Sequence, residues 1–334
     1  MSTNPIWLDS FDSDTNPANL YDSTNAVAIG TAYGRNSTQG LHKLMNNNGY
    51  VKKNVATMSE FYCGFAVNIQ QCTGTSDLFY VIDSATGTVQ LELAVDSGGH
   101  LSFLRNGTTI GTSTLALSFT AWHYIEIHGK ISSAAGIAEV KVDGIVTFLS
   151  LSAANTQASA NANFGQIALG GGSSAEYWYD DFYFLDAAGT PAGGYVGDSI
   201  VSYKKPNAAG SNAAWTPSAG SNYQNVDEVP PDDDTTYNES STAGALDSFN
   251  HDGLATSVTN IIGCMMRARV RNTSGAPVIH LAMKSGATLG ESADIAVPAA
   301  YADVTAPFPT DPNTAAAWTV AGLNAAEIGY KEIS

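Results

Sequence analysis

This sequence predicts an all-β chain of two domains, and three observations carry the prediction. Polar and apolar side chains alternate with period two at residues 124–129 and 139–143, the pattern of half-buried strands. Short candidate strands recur through the first half between turns rich in Gly, Asn or Asp, the spacing of a sandwich and not of a βαβ fold. The length of 334 residues exceeds one small sandwich and provides for two cores, placed at residues 1–190 and, in a smaller β-rich unit, at 191–334.

Taken in order, residues 6–12 open the chain as an edge strand. Strands follow at 49–54, 60–70, 78–83, 89–95, 100–105 and 108–111, with turns at 85–87, 96–99 and Asn106-Gly107. Phe61, Phe65 and Phe103 are assigned to the core. From Trp122 onward the alternation sharpens. Tyr124, Glu126 and His128 share one strand face, and Ile125 and Ile127 share the other. Glu139, Lys141 and Asp143 alternate with Val140 and Val142 up to the tight-turn pair Asp143-Gly144. Residues 164–170 and 177–186 read as further strands, 150–163 as a loop, and 187–194 as the composition break that ends the first domain.

The block thus has a Trp-led strand, a hairpin turning at Asp143-Gly144, a strand closing on Leu169-Gly170-Gly171 and a last strand carrying Asp180-Asp181. In this order it resembles the laminin-G-like, concanavalin-A-like jelly roll. The resemblance implies an N-terminal jelly-roll sandwich, a fold that serves lectins, glycanases, adhesins and viral coat parts alike. It also implies that Asp180 and Asp181 are candidate calcium ligands at a sandwich edge. The neighbouring Tyr177, Trp178 and Tyr179 form a candidate sugar platform. Alternation there puts Trp178 on one face and the two tyrosines on the other.

In the second half, residues 195–202 read as a strand and 206–220 as an Ala-, Gly-, Ser- and Asn-rich stretch. An acidic arm follows at 226–237, holding Asp227, Glu228, Asp232, Asp233 and Asp234 and stiffened into an extended form by Pro230-Pro231. Strands are expected at 261–272, 278–284, 293–298 and, as a closing strand, 326–331. Arg267, Arg269 and Arg271 alternate with Ala268 and Val270, so three guanidiniums share a face. They are expected to meet carboxylates within the domain or on a neighbouring subunit. The pattern Gly197-Asp198, Trp215-Thr216-Pro217, Gly220 to Tyr223, Asp232 to Tyr237 and Asp247-Ser248-Phe249 resembles the second half of proteins common in tailed-phage genomes. The ending from Asp311-Pro312-Asn313 through Trp318 to Gly329 resembles the same group, which implies a virion structural part.

The bulk chemistry narrows partners. Fourteen Lys and Arg stand against 31 Asp and Glu, a net charge of −17, and only 13% of residues are charged. Phosphate backbones and anionic membranes are repelled by such a chain. No apolar window approaches the ~18 residues of a membrane span, and the N-terminus has no export-signal pattern. Cys63, Cys72 and Cys264 are odd in number and read as free thiols of a reducing cytoplasm, a hairpin bridge between Cys63 and Cys72 being the alternative.

Catalytic motifs are missing from the sequence. Glu92, Glu126, Glu139 and Glu176 are isolated, no Glu-x-Asp-x-x-Glu run is present, and the six histidines lack metal-ligand spacing. Gly-x-Ser-x-Gly and a phosphate loop are also absent. The expectation is therefore a non-enzymatic structural component of a tailed-phage virion, a capsid decoration or tail-fibre protein located on the particle. It would be multicopy or homo-oligomeric and would dock onto a major capsid or tail protein through the acidic arm and the arginine face. Weak adhesion to a host-surface glycan would accompany this, with calcium as the one cofactor considered. A carbohydrate-binding lectin-type module and a polysaccharide-degrading enzyme are the alternatives.

Overall fold

The computed structural model describes residues 5–188 and 194–334. They form two compact units, Ile6–Val201 and Ser202–Ser334. Strands of the first unit are β1 (Pro5–Asp9), β2 (Ser23–Asn25), β3 (Val27–Gly30), β4 (Gly40–Lys43), β5 (Tyr50–Met58), β6 (Glu60–Cys72), β7 (Ser76–Asp83) and β8 (Thr88–Val95). Then come β9 (His100–Arg105), β10 (Thr108–Ala116), β11 (Trp122–Lys130), β12 (Gly136–Val142), β13 (Ile145–Ala154), β14 (Phe164–Gly170) and β15 (Ala175–Asp186). One sheet has eight strands in the order β13-β12-β11-β6-β15-β4-β3, with β1 added on β15. The other has seven, in the order β10-β9-β8-β7-β14-β5-β2. The fold is all-β, a sandwich of the jelly-roll type.

The core forms where the two apolar faces meet. Phe61, Phe65 and Phe184 from one sheet pack on Phe79, Phe103 and Phe164 from the other, all fully or almost fully buried. Phe61 lies 5.3 Å from Phe164 edge-on and 5.3 Å from Phe184 in a stack. Each such ring contributes about 1.5–3 kcal/mol by burial. Asn106-Gly107 and Asp143-Gly144 turn with positive φ at both residues (45° and 78°; 50° and 73°), as the two-residue hairpin turn requires.

Several expectations are corrected. The strands read in a row from Trp122 are divided between the sheets, because β14 pairs with β5 and β7 in the seven-stranded one. The loop expected at 150–163 is shorter, since β13 runs to Ala154. Cys63 and Cys72 do not sit on two hairpin arms. Both lie on β6, about 30 Å apart at ~3.3 Å per residue, and all three cysteines are free. Residues 195–202 form no strand, and 195–201 belong to the sandwich unit. Of the composition break at 187–194, residues 189–193 lie outside the described residues.

In the second unit, Pro206–Ala213, Leu246–His251, Glu327–Glu332, Val278–Ser285 and Thr288–Glu291 build a sheet in that order, with Ile295–Ala296 on Val278–Ser285. Cys264–Val270 pairs with Ala302–Phe308. Met266, Leu281, Met283, Phe308 and Trp318 form the core. The closing strand takes a central place in the sheet. Residues 206–213 form a strand despite weak β-propensity, because pairing with Leu246–His251 decides their conformation.

The acidic arm is not an extended spacer. It turns back so that Asp233 clasps the Arg269 fork and Asp234 binds Arg271 at 2.7 Å, while Arg267 pairs with Asp303 at 2.8 Å. Glu228 and Asp232 both lie against the Thr236 hydroxyl, and the Asp227 carbonyl accepts from Lys205. The arginine face therefore meets carboxylates within its own unit, the first of the two places expected for it.

Candidate functional site

The register of the eight-stranded sheet lays out its outer face row by row. β6 runs between β11 and β15. Trp122 and Trp178 are both opposite Asn68, Tyr124 and Asp180 opposite Ala66, Glu126 and Tyr183 opposite Gly64, and His128 and Leu185 opposite Tyr62. Residues in between, such as Ile125, Ile127, Cys63 and Phe65, point into the core. The set Tyr124, Glu126 and His128 read from alternation thus belongs to one surface. Much of that surface is covered: Ala66, Tyr124, Tyr183 and Leu185 form a second buried apolar cluster, against which Leu8, Tyr62, Trp122 and Val196 pack.

A β-bulge fixes which residues of β15 reach it. The register slips between Asp180 and Tyr183, and Asp181 takes φ of 52°. One extra residue exchanges the faces of the strand. Before the bulge Tyr177 and Tyr179 point inward, and after it Phe182 and Phe184 do, so Trp178, Asp180 and Tyr183 all face outward. Tyr177 and Tyr179 are completely buried, and their hydroxyls donate to the carbonyls of Ser76 and Leu78 on the opposite sheet. They are core residues, and the expected sugar platform reduces to Trp178. The Trp178 ring is half-buried beside Tyr33, 5.7 Å away, and its indole N–H has no hydrogen-bond partner among the described residues.

The middle of the face is a trough floored by Gly64 and Ala66. A Cβ at Gly64 would lie 2.4 Å from the Tyr183 ring, so only glycine lets that ring cross β6. Crossing it, the Tyr183 hydroxyl donates to Glu126 at 2.7 Å. Glu126 is buried, and its two other donors are backbone N–H groups of Val196 at 2.8 Å and Gly197 at 2.7 Å. These come from residues 195–201, a strap laid across the trough. At one end the Tyr195 hydroxyl donates to Glu139 at 2.6 Å, and Lys141 sits 3.6 Å over its ring. Burial and then the Glu139 bond push the Tyr195 phenol up.

At its other end the strap reaches Arg35. The Arg35 Nε donates to Asp181 at 2.5 Å, while Nη2 meets the Ser199 carbonyl at 2.7 Å and the Asp198 carboxylate at 2.8 Å. Burial alone would lower the guanidinium pKa, but Asp198 and Asp181 reverse this and hold it raised. Val201 N–H donates to the second oxygen of Asp181 at 2.8 Å. Asp180 accepts from the backbone N–H of Arg35 at 2.8 Å and of Asp181 at 2.8 Å. Burial, then the Asp181 charge, push its carboxyl up to about 7.

The Thr38 hydroxyl lies between two acceptors, the Arg35 carbonyl at 2.6 Å and Asp180 at 2.9 Å. The expected calcium ligands Asp180 and Asp181 are therefore engaged by Arg35, Thr38 and Val201. Among the described residues no group of three or more His, Cys, Asp or Glu side chains is placed to hold a metal ion.

Alternation in the sequence exposed Glu126, Tyr124 and Trp178. It gave no hint of Arg35, on the short 3-10 turn Arg35–Ser37, or of Asp198, on irregular chain, whose placement depends on tertiary contacts.

No family model and no curated protein matches the chain. Among solved structures it is similar to a marine alginate lyase from Aplysia kurodai (10% identity, TM-score 0.43, 55% of this chain and 99% of that one). It is also similar to a carbohydrate-binding module from Bacillus subtilis (11%, 0.35, 49% and 98%). A third is a sialidase from Trypanosoma rangeli (17%, 0.35, 47% and 27%), of which the chain spans about a quarter. These are two carbohydrate enzymes and a carbohydrate-binding module, not virion parts. The expectations of a virion structural role and of a non-enzyme are corrected on this finding, and neither is carried further.

Proposed function

We propose that the first unit is a carbohydrate-binding module whose ligand lies on the outer face of the eight-stranded sheet. One observation carries this reading: Trp122 and Trp178 flank Asn68 in a single cross-strand row. Both rings are half-buried. Two strand spacings separate them, about 10 Å, a distance that a short oligosaccharide spans. Sugar rings present apolar faces to aromatic side chains and hydroxyls to polar ones. The row offers both, with His42 pairing with Glu176 at 2.8 Å beside Trp178.

A glycan array on the pure protein, with and without calcium, tests the reading. At least one glycan class is expected to bind, and Trp122→Ala is expected to weaken it roughly tenfold, the cost of one central aromatic contact. No binding to any glycan, or an unchanged affinity in the variant, would overturn it. New reducing ends released from the bound glycan would add cleavage to binding.

A further inference from the structure

The strap at 195–201 answers three polar groups of the trough, Glu126, Arg35 and Asp181, each with a particular partner. Two adjacent N–H donors meet Glu126, a carboxylate and a carbonyl meet Arg35, and one N–H donor meets Asp181. The protein groups are deeply placed, with the Arg35 and Asp181 side chains 13% and 5% exposed, while Asp198 is 58% exposed. Asp198 therefore approaches Arg35 from the solvent side, as an incoming anion does. The Nη1 end of the guanidinium has no partner among the described residues. A second oxygen could bind there, completing the two-pronged contact that arginine makes with carboxylates.

Resting on the carbohydrate-binding reading, we propose that the strap is an internal stand-in for the ligand, and that the ligand is a carboxylate-bearing glycan built of hexuronic acids. Its carboxylate takes the place of Asp198 on Arg35, and neighbouring hydroxyls replace the N–H donors of Val196 and Gly197 on Glu126. A hexuronate ring carries both groups together. A neutral sugar offers hydroxyls but no anion to replace Asp198. The exchange leaves the charge count around Arg35 unchanged. The overall charge of −17 opposes a polyanion at long range, but that repulsion is screened beyond about 8 Å at physiological ionic strength.

The test compares hexuronate oligosaccharides with neutral cello-oligosaccharides on the full chain at that ionic strength, for the native sequence and Asp198→Asn. Asp198 is exposed enough for the variant to fold. Removing the competing carboxylate is expected to tighten hexuronate binding about fivefold, the equivalent of one solvent-facing ion pair, and to leave neutral-glycan affinity unchanged. Saturating hexuronate is expected to speed amide exchange at Val196, Gly197 and Val201. Equal effects on both glycans, no change in the variant, or continued protection of those amides would overturn the stand-in while leaving glycan binding at the Trp122 row intact. Failure of every glycan to bind either protein would overturn both readings.

Discussion

Arginines meet carboxylates in both units, yet burial sets the Arg35–Asp181 pair apart from the pairs of the acidic arm. In the sandwich, Arg35 and Asp181 are 13% and 5% exposed. In the second unit, Asp233 and Asp234 stay 38% and 61% exposed beside Arg269 and Arg271. Two unit charges 4 Å apart interact by about 4 kcal/mol at an effective dielectric of 20 but only about 1 kcal/mol in water. The same residue types thus build a buried pair at β15 and a solvent-screened clasp at the acidic arm, and the second unit has a buried pair of its own in Arg267 and Asp303, 13% and 3% exposed. Charge pairing seen in sequence carries no energy until burial is known.

The largest way to break the contrast is Arg35→Ala, which leaves a buried Asp181 without its guanidinium. The sandwich is expected to lose about 3–5 kcal/mol, read as lost amide-exchange protection along β15 and a lower denaturation midpoint. A loss under 1 kcal/mol would place the pair with the screened class.

A smaller effect follows pH. The Asp180 carboxyl is raised from 3.8 to about 7 in the folded chain. Between those values the folded state binds more protons than the unfolded one. The stability Asp180 contributes is therefore complete below about pH 4, declines as pH rises, and is lost above about 7. Urea midpoints across that window should fall with rising pH, and Asp180→Asn should flatten the slope. An unchanged slope in the variant would assign the titration elsewhere.

The smallest effect belongs to the clasp. Asp233→Asn should cost no more than about 1 kcal/mol, and salt near 1 M, where the Debye length is about 3 Å, should reproduce it. Proteolysis within residues 226–237 reads the loosened arm. An arm whose cleavage rate ignores both changes would mean that packing, and not the ion pairs, holds it.

Much of the sandwich was legible because strands of six or more residues with one wet face carry a strong period-two signal. β12 shows it plainly, its buried and half-buried positions alternating strictly from Gly136 to Val142. The short strands β2 to β4 have too few residues to display a period, and Pro206–Ala213 has the composition of a loop. Of the candidate site, Trp178 and the Asp180-Asp181 pair were noticed, but the reason for the pair was not. It marks the bulge that exchanges the faces of β15, and a local sequence does not announce a register slip. Tyr177 and Tyr179, singled out with Trp178, were one residue away on the wrong side of the strand.

Local sequence by itself determined the all-β class, the turns at Asn106-Gly107 and Asp143-Gly144, and the sharing of one face by Tyr124, Glu126 and His128. Each follows from backbone geometry that a few neighbouring residues control. Only the tertiary structure decided that β14 crosses to the second sheet, that Arg35 meets Asp181 from 146 positions away, and that the strap closes over Glu126. Those contacts join distant chain segments. Their stability comes from excluding water around charges, which no window of sequence contains.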